Sequence, residues 1–361
     1  MLNIHEPVHG ALLNHRDGVA AGDALLITVR GTAPLACNVT VNGVAAQRQG
    51  DGFTAQIPLR QRCNDIVITA SGHQGQSEQR LSVIWDQSTQ KRYRFAIDDN
   101  CFFLRELCRQ QPADIFSNHY LAILKRLHDN YGTRFSLNLF YESPEKDFTL
   151  KMLPDRWRAQ FAAASPWLRM TWHAYAEFPD RPYQYARAEK VLADIDLIHD
   201  EIVRFAGPAS WCPPTIVHWG ELLPSVLPAL AKRGTTALSG YFRRQEQRYA
   251  VSYGLDDWRC AQVESRGRLM EFASGIMLSQ IDLVLNSTPL ADILPCLSAA
   301  IAAGSRSEVI DLLTHEQYFW PFYHHFVPDH AERLDCALRF LTDHGYEPVW
   351  FHEGLLGAPQ P

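Results

Sequence analysis

No stretch of this 361-residue chain approaches the roughly 18 consecutive apolar residues that a membrane-spanning helix needs. Lysine and arginine form no cluster, and 34 of them face 40 acidic residues, a formal net charge of -6. That balance gives no basic footprint for nucleic acid. The eight cysteines, at positions 37, 63, 101, 108, 212, 260, 296 and 336, never occur as C-x-x-C, which argues against a zinc knuckle or a thioredoxin-like site. A chain this long has no need of disulfides, so they read as mostly reduced and buried. The opening "MLNIHEPVHGALLNHRDG" lacks the basic-then-apolar pattern of a secretory leader. The expectation is a cytoplasmic protein, with export the alternative if a leader has been removed.

What is present falls into two regions of different period. Residues 1–87 carry short runs rich in Val, Ile and Thr: "ALLITVRG", "CNVTVNG", "GFTAQIPL", "NDIVITASG" and "QRLSVIWD". Turn residues such as "NG" and "GDG" separate them, the pattern of an all-β sandwich. From residue 90 to 361 apolar strand-like runs alternate with amphipathic helical stretches, among them "YARAEKVLADIDLIHDEIVRFAG". This is β/α alternation with six to eight strands. A barrel is expected over an open sheet, because polar residues collect at the ends of several strands, where barrel active sites lie.

Four strand ends carry chemistry: "FAIDDN", "TWHAYAE", "TIVHWGE" and "LLTHEQYF". They supply Asp98 and Asp99, His173 and Glu177, His218 and Glu221, and His315 and Glu316. On a helical turn His173 and Glu177 would share one face, a spacing that one cation can bridge. Singly, each feature has a plain structural reading: an Asp pair caps a turn or helix, and a strand-end His hydrogen-bonds locally. Trp172, Tyr175, Trp219 and Tyr318 flank the same ends. They would stack on sugar rings or simply pack the top of the barrel.

The two regions resemble known families. Residues 1–87 are similar to bacterial immunoglobulin-like modules attached to carbohydrate enzymes, through the "VTVNG" hairpin, "GFTAQIPL" and "NDIVITA". Residues 90–355 resemble the NodB-type polysaccharide deacetylases, carbohydrate esterase family four, with their distorted (β/α)7 barrel. "AIDDN" stands at the family's T-F-D-D-G, "HAYAE" at H-[ST]-x-x-H, "IVHWG" near R-x-P-Y-G, and "LTH" at L-x-H. The resemblance implies Asp98 as general base, Asp99 and His173 as metal ligands, Glu177 as a ligand where a second His is expected, and His315 as general acid. Asn100 replaces a glycine, and the motif's arginine is missing, a place that His218 could take. The implied cofactor is a divalent metal, zinc first, with manganese, cobalt or calcium as alternatives. The implied reaction is hydrolytic removal of acetyl groups from an oligo- or polysaccharide by activated water. Glu221 and Glu316, with the four aromatic residues, are the expected substrate contacts. The alternatives are another carbohydrate-active enzyme on the same barrel, a glycoside hydrolase or epimerase, and a carbohydrate-binding protein without catalysis.

Overall fold

A computed structural model describes residues 1–73, 75–246 and 248–358. The chain divides into two compact units. The first comprises Met1–Thr89 with two short returns of the chain, Arg268–Phe272 and Gly304–Arg306. The second comprises Gln90–Gly267, Ala273–Ala303 and Ser307–Pro361.

The first unit is built from strands that alternate strictly. Gly52–Leu59 buries every second side chain, Phe53, Ala55, Ile57 and Leu59, as a strand with one wet face must. One sheet runs in the order Asn3–Glu6, Ala24–Thr32, Gly52–Leu59, Gln47–Gln49, with Gly18–Ala21 also paired to Ala24–Thr32. The other runs Leu12–Leu13, Gly75–Trp85, Cys63–Gly72, Asn38–Val41, Val44–Ala45. Both sheets contribute to one apolar core that includes Ile27, Val29, Val41, Ile57, Ile66, Ile68 and Val83. The returning segment pairs Leu269 with Ala11 and donates the Met270 N–H to the Gly10 carbonyl at 2.8 Å.

In the second unit the strands Arg92–Asn100, Phe135–Phe140 and Leu168–Ala174 are buried on both faces. Together with Val309–His315 they form a parallel sheet in the order 168–174, 135–140, 92–100, 309–315, extended by Leu283–Val284. Ala237–Gly240 and Ile276–Gln280 form a second parallel pair. Single backbone hydrogen bonds join the two groups. Cys212 N–H donates to Met170 O at 3.0 Å, Ser239 N–H to Thr215 O at 2.8 Å, and Asp282 N–H to Asp311 O at 2.9 Å. Backbone hydrogen bonds thus link seven segments in a ring: 92–100, 135–140, 168–174, 212–215, 237–240, 276–284 and 309–315. Helices Phe102–Gln110, His119–Tyr131, Ala188–Ala206, Leu290–Ile301 and His330–Asp343 lie between strands in the sequence.

Alternation along the strands stacks three levels inside this ring. Arg94 and Asp311 form a buried ion pair at 2.8 Å, which Ser239 joins through its hydroxyl. Next comes an apolar layer of Ala96, Ile216, Ile281 and Leu313. Two residues further along the same strands stand Asp98 and His315, directly opposite each other in register.

The eight cysteines are all unpaired, yet only Cys101, Cys212 and Cys260 are buried; Cys63 and Cys296 are exposed. The expectation of burial therefore holds for a minority. No helix among the described residues is long and apolar enough to cross a membrane.

Candidate metal centre

Two neighbouring residues of a regular strand point to opposite faces, so Asp98 and Asp99 should not serve one site. A β-bulge removes that obstacle. Pairing with Phe135–Phe140 slips between Ile97 and Asn100, and Asp99 takes φ +60°, a left-handed backbone that aspartate tolerates better than most residues. Asn100 fastens the bulge. Its amide donates to the Ile97 carbonyl at 2.6 Å and the Asn138 carbonyl at 3.2 Å, while the Tyr120 hydroxyl donates to its Oδ1 at 2.8 Å. A second bulge inserts His173 between the pairs Leu139–Trp172 and Phe140–Ala174. His218 arrives from a short turn, His218–Gly220, with Trp219 at φ +62° and Gly220 at φ +53°. A Cβ on Gly220 would stand 2.2 Å from Val251 Cγ1, so only glycine fits this turn.

These three elements bring ligand atoms of Asp99, His173 and His218 within 4.8 Å of one another, all three buried. His173 Nδ1 faces the Ile216 carbonyl at 3.4 Å, and His218 Nε2 faces the Glu177 carbonyl at 3.2 Å. A carbonyl only accepts, so each of those nitrogens carries the proton. The opposite nitrogens, His173 Nε2 and His218 Nδ1, then meet at 3.1 Å with Asp99 Oδ1 at 3.2 and 3.5 Å. In the neutral rings this sets three electron-pair donors around one point, and Asp99 Oδ1 is buried without a hydrogen-bond partner. Such an arrangement fits a cation with nitrogen and oxygen preference. Three protein ligands leave a coordination position open, as catalytic zinc sites do. The two carbonyls fix the tautomers from behind.

The electrostatics follow from burial and this clustering. Burial opposes charge on Asp99, but the close approach of His173 at 3.2 Å and the nearby His315 and His218 rings hold it well below the usual carboxylate range. Asp98 is pushed upward, chiefly by burial, with Asp99 adding to it against His173, His315 and the Asn138 amide at 2.5 Å. Burial takes His218 down to about 4, with His173 contributing. His173 moves up: burial works against it, and Asp98, Asp99 and the Ile216 carbonyl outweigh it.

Around this centre lies a cleft of about 310 Å³ lined by Asp98, Asp99, His173, His218, His315 and Glu177, with Trp219, Tyr241, Tyr318 and Tyr323 among its aromatic walls. His315 is oriented by Asn286, whose Oδ1 accepts from Nδ1 at 2.8 Å.

Several expected residues stand elsewhere. The segment after His173 is not helical, so the four-residue spacing brings no shared face. His218 stands in the ligand group, while Glu177 lines the cleft, hydrogen-bonded to Gln317 at 2.9 Å and pushed up to about 7 by burial and by Asp99. Glu316 is fully buried and accepts the N–H groups of Cys101, Phe102 and Phe103 at 2.7, 2.9 and 2.5 Å, and Trp320 Nε1 at 3.0 Å. It caps the helix Phe102–Gln110, whose first N–H groups have no partner within the helix, and so cannot hold substrate. Trp172 is fully buried against Tyr183. Tyr175 packs on Tyr141, and Glu221 lies 4.0 Å from Arg248; neither lines the cleft. Trp219 and Tyr318 do line it.

Asn138, Asn286, Gln317, Tyr241 and Tyr323 were not singled out by sequence. Asn138 carried a signal, a polar side chain in the middle of the apolar run "FSLNLF", and Tyr323 lies in the aromatic run "EQYFWPFYHHF".

No family model and no curated protein matches the chain. Among solved structures it is similar to a family 4 acetyl xylan esterase from Clostridium thermocellum in complex with a cobalt ion. The identity is 14% and the TM-score 0.37, over 72% of this chain and 87% of that one. It is also similar to a family 4 carbohydrate esterase from Streptomyces lividans in complex with acetate, at 11% identity and TM-score 0.36 over 76% and 100% of the two chains. A third is a polysaccharide deacetylase from Bacillus cereus, at 9% identity and TM-score 0.25 over 71% and 92%. Likenesses this distant lend no weight to a functional reading, which has to stand on the site.

Proposed function

We propose that the second unit is a metal-dependent hydrolase that removes acetyl groups from a carbohydrate, and that its ring of seven segments is a distorted (β/α)7 barrel. In the same reading residues 1–87 are an immunoglobulin-like module and residues 90–361 are the catalytic domain. The observation that carries the proposal is the meeting of Asp99, His173 and His218 beside Asp98 and His315 in one cleft.

Asp99, His173 and His218 would hold the cation, zinc first by its preference for this donor set. Bound there, it supplies Lewis acidity toward water and toward the acyl oxygen. Asp98 is the base that takes the proton of the attacking water. The Asn138 amide donates to its Oδ1, and burial raises its proton affinity, which strengthens it as a base. His315, with Nδ1 held by Asn286, gives the proton to the departing amine or alcohol. Trp219, Tyr318 and Tyr323 offer ring faces to the C–H surface of a sugar.

The test is metal content and acetate release together. Protein purified without chelator is expected to hold about one divalent ion per chain and to release acetate from acetylated oligosaccharides. Asp98→Asn is expected to keep the ion and lose activity by at least about a hundredfold, the usual worth of a general base. Ion-bearing protein that produces reducing ends and no acetate would overturn the proposal in favour of a glycoside hydrolase. Inability to bind zinc, manganese, cobalt or calcium would remove the mechanism altogether.

A further inference from the structure

Asp98 and His315 form the last rung in the register of the strands Arg92–Asn100 and Val309–His315. Beyond that rung the two chains turn apart. One enters the helix Phe102–Gln110 through Cys101, and the other enters a short helical turn, Glu316–Phe319. The base and the acid of the proposed reaction therefore stand where the ladder ends.

One buried side chain spans the gap. Glu316 Oε2 accepts the N–H groups of Cys101 and Phe102 at 2.7 and 2.9 Å, and Oε1 accepts that of Phe103 at 2.5 Å and Trp320 Nε1 at 3.0 Å. Each oxygen takes two donors, so the acceptor sites of a carboxylate are fully engaged. Three of the four bonds cross from the segment that carries the acid to the segment that carries the base. Bonds to an ionised acceptor are about twice as strong as neutral ones, so this is a firm clamp. The two sides differ in what else holds them. Asn100 fastens the acidic side with three hydrogen bonds, and the Asn138 amide holds Asp98. Glu316 follows His315 directly in the chain, so a shift of one is passed to the other. Loosening the clamp displaces His315 more than Asp98.

We infer that Glu316 is a positioning residue: by clamping its own turn to the start of the helix Phe102–Gln110, it sets His315 at the distance from which the leaving atom takes a proton. The inference rests on the deacetylase reading and goes beyond it by giving a buried helix cap a part in proton delivery.

The test uses leaving groups of different need. The amine of an acetamido sugar departs only with a proton, whereas 4-nitrophenolate departs without one. Wild type, Glu316→Gln and Trp320→Phe are compared, full-length and metal-loaded, on N-acetylglucosamine oligomers and on 4-nitrophenyl acetate, with metal content measured on each. Glu316→Gln turns an amide N–H₂ toward two N–H donors, and Trp320→Phe removes one donor and leaves the other three bonds. In Glu316→Gln the ratio of acetamide kcat to aryl-ester kcat is expected to fall by about tenfold or more, since small misplacements of a reacting group cost up to about a hundredfold. The ion is retained. Trp320→Phe shifts the ratio the same way by about threefold, and it decides the question if Glu316→Gln does not fold. An unchanged ratio, with both rates kept or both lowered alike, overturns the inference and leaves the deacetylase reading standing. Wild type that releases no acetate from the sugar rejects the reading, and the inference with it.

Discussion

At the scale of single residues, the centre is decided by which nitrogen faces which atom. Glu177 and His218 both lie near Asp99, and a sequence spacing argument favours the glutamate. In the structure the Glu177 backbone carbonyl accepts from His218 Nε2, while its carboxylate goes to Gln317. Metal affinity is therefore expected to depend on the two side chains very differently. His218→Ala, which removes one of three ligands, should weaken zinc binding by well over a hundredfold, beyond the 10- to 100-fold typical of an outer-sphere change. Glu177→Gln should stay within about tenfold of wild type. Competition titration with a chromogenic chelator reads both. Comparable losses in the two variants would show that Glu177 is a ligand after all.

At the scale of elements, bulges and buried polar bonds fix where strands end. The three hydrogen bonds of Asn100 fasten the bulge at Asp99. A comparable bond ties a helix to a strand. His330, the first residue of the helix His330–Asp343, meets the Thr314 hydroxyl at 2.6 Å on the strand that carries His315. Burial takes the imidazole down to about 3, helped by Arg333 and His315, against the Tyr318 backbone and Asp329. With an unfolded value near 6.5, the unfolded chain binds a proton that the native state refuses between about pH 6.5 and 3. His330 therefore stabilises fully above pH 6.5, and its contribution falls as the pH falls, by up to about 1.4 kcal/mol per unit. Urea unfolding of wild type and His330→Gln is expected to show their stability gap narrowing from pH 7.5 to 4.5. A gap independent of pH would show that the ring is not held neutral.

At the scale of the whole molecule, each unit has its own means of cohesion. The first is held by an apolar core whose every member lies between Leu2 and Val83. The returning chain adds the Leu269–Ala11 pairing and the Met270–Gly10 hydrogen bond. A fragment spanning Met1–Thr89 should accordingly fold and unfold cooperatively by itself, at a stability lower by about 1–2 kcal/mol, roughly the net worth of the lost backbone bonds. Circular dichroism during urea titration would report it; a fragment without β-structure or a transition would show that the core is insufficient. The second unit keeps charge in its interior: Arg94 and Asp311 lie beneath an apolar layer that separates them from the candidate metal centre.

The sequence by itself determined the change of period near residue 90, most of the strands and helices, and the acidic and imidazole groups at strand ends. Those properties are local: alternation of two, alternation of 3.6 and turn residues are written in consecutive positions. Asp98, Asp99, His173, His218 and His315 were visible for that reason, each closing an apolar run or following one closely. Tertiary structure decided what those groups do to one another. The bulge at Asp99, the bulge at His173 and the turn at Trp219–Gly220 rotate side chains by amounts that no residue pattern encodes. They put His218 rather than Glu177 beside Asp99, sent Glu316 to a helix end, and buried Trp172. Asn286 reached His315 from a different chain segment. Which lone pairs converge depends on bonds between residues far apart in sequence, and only the folded chain supplies those.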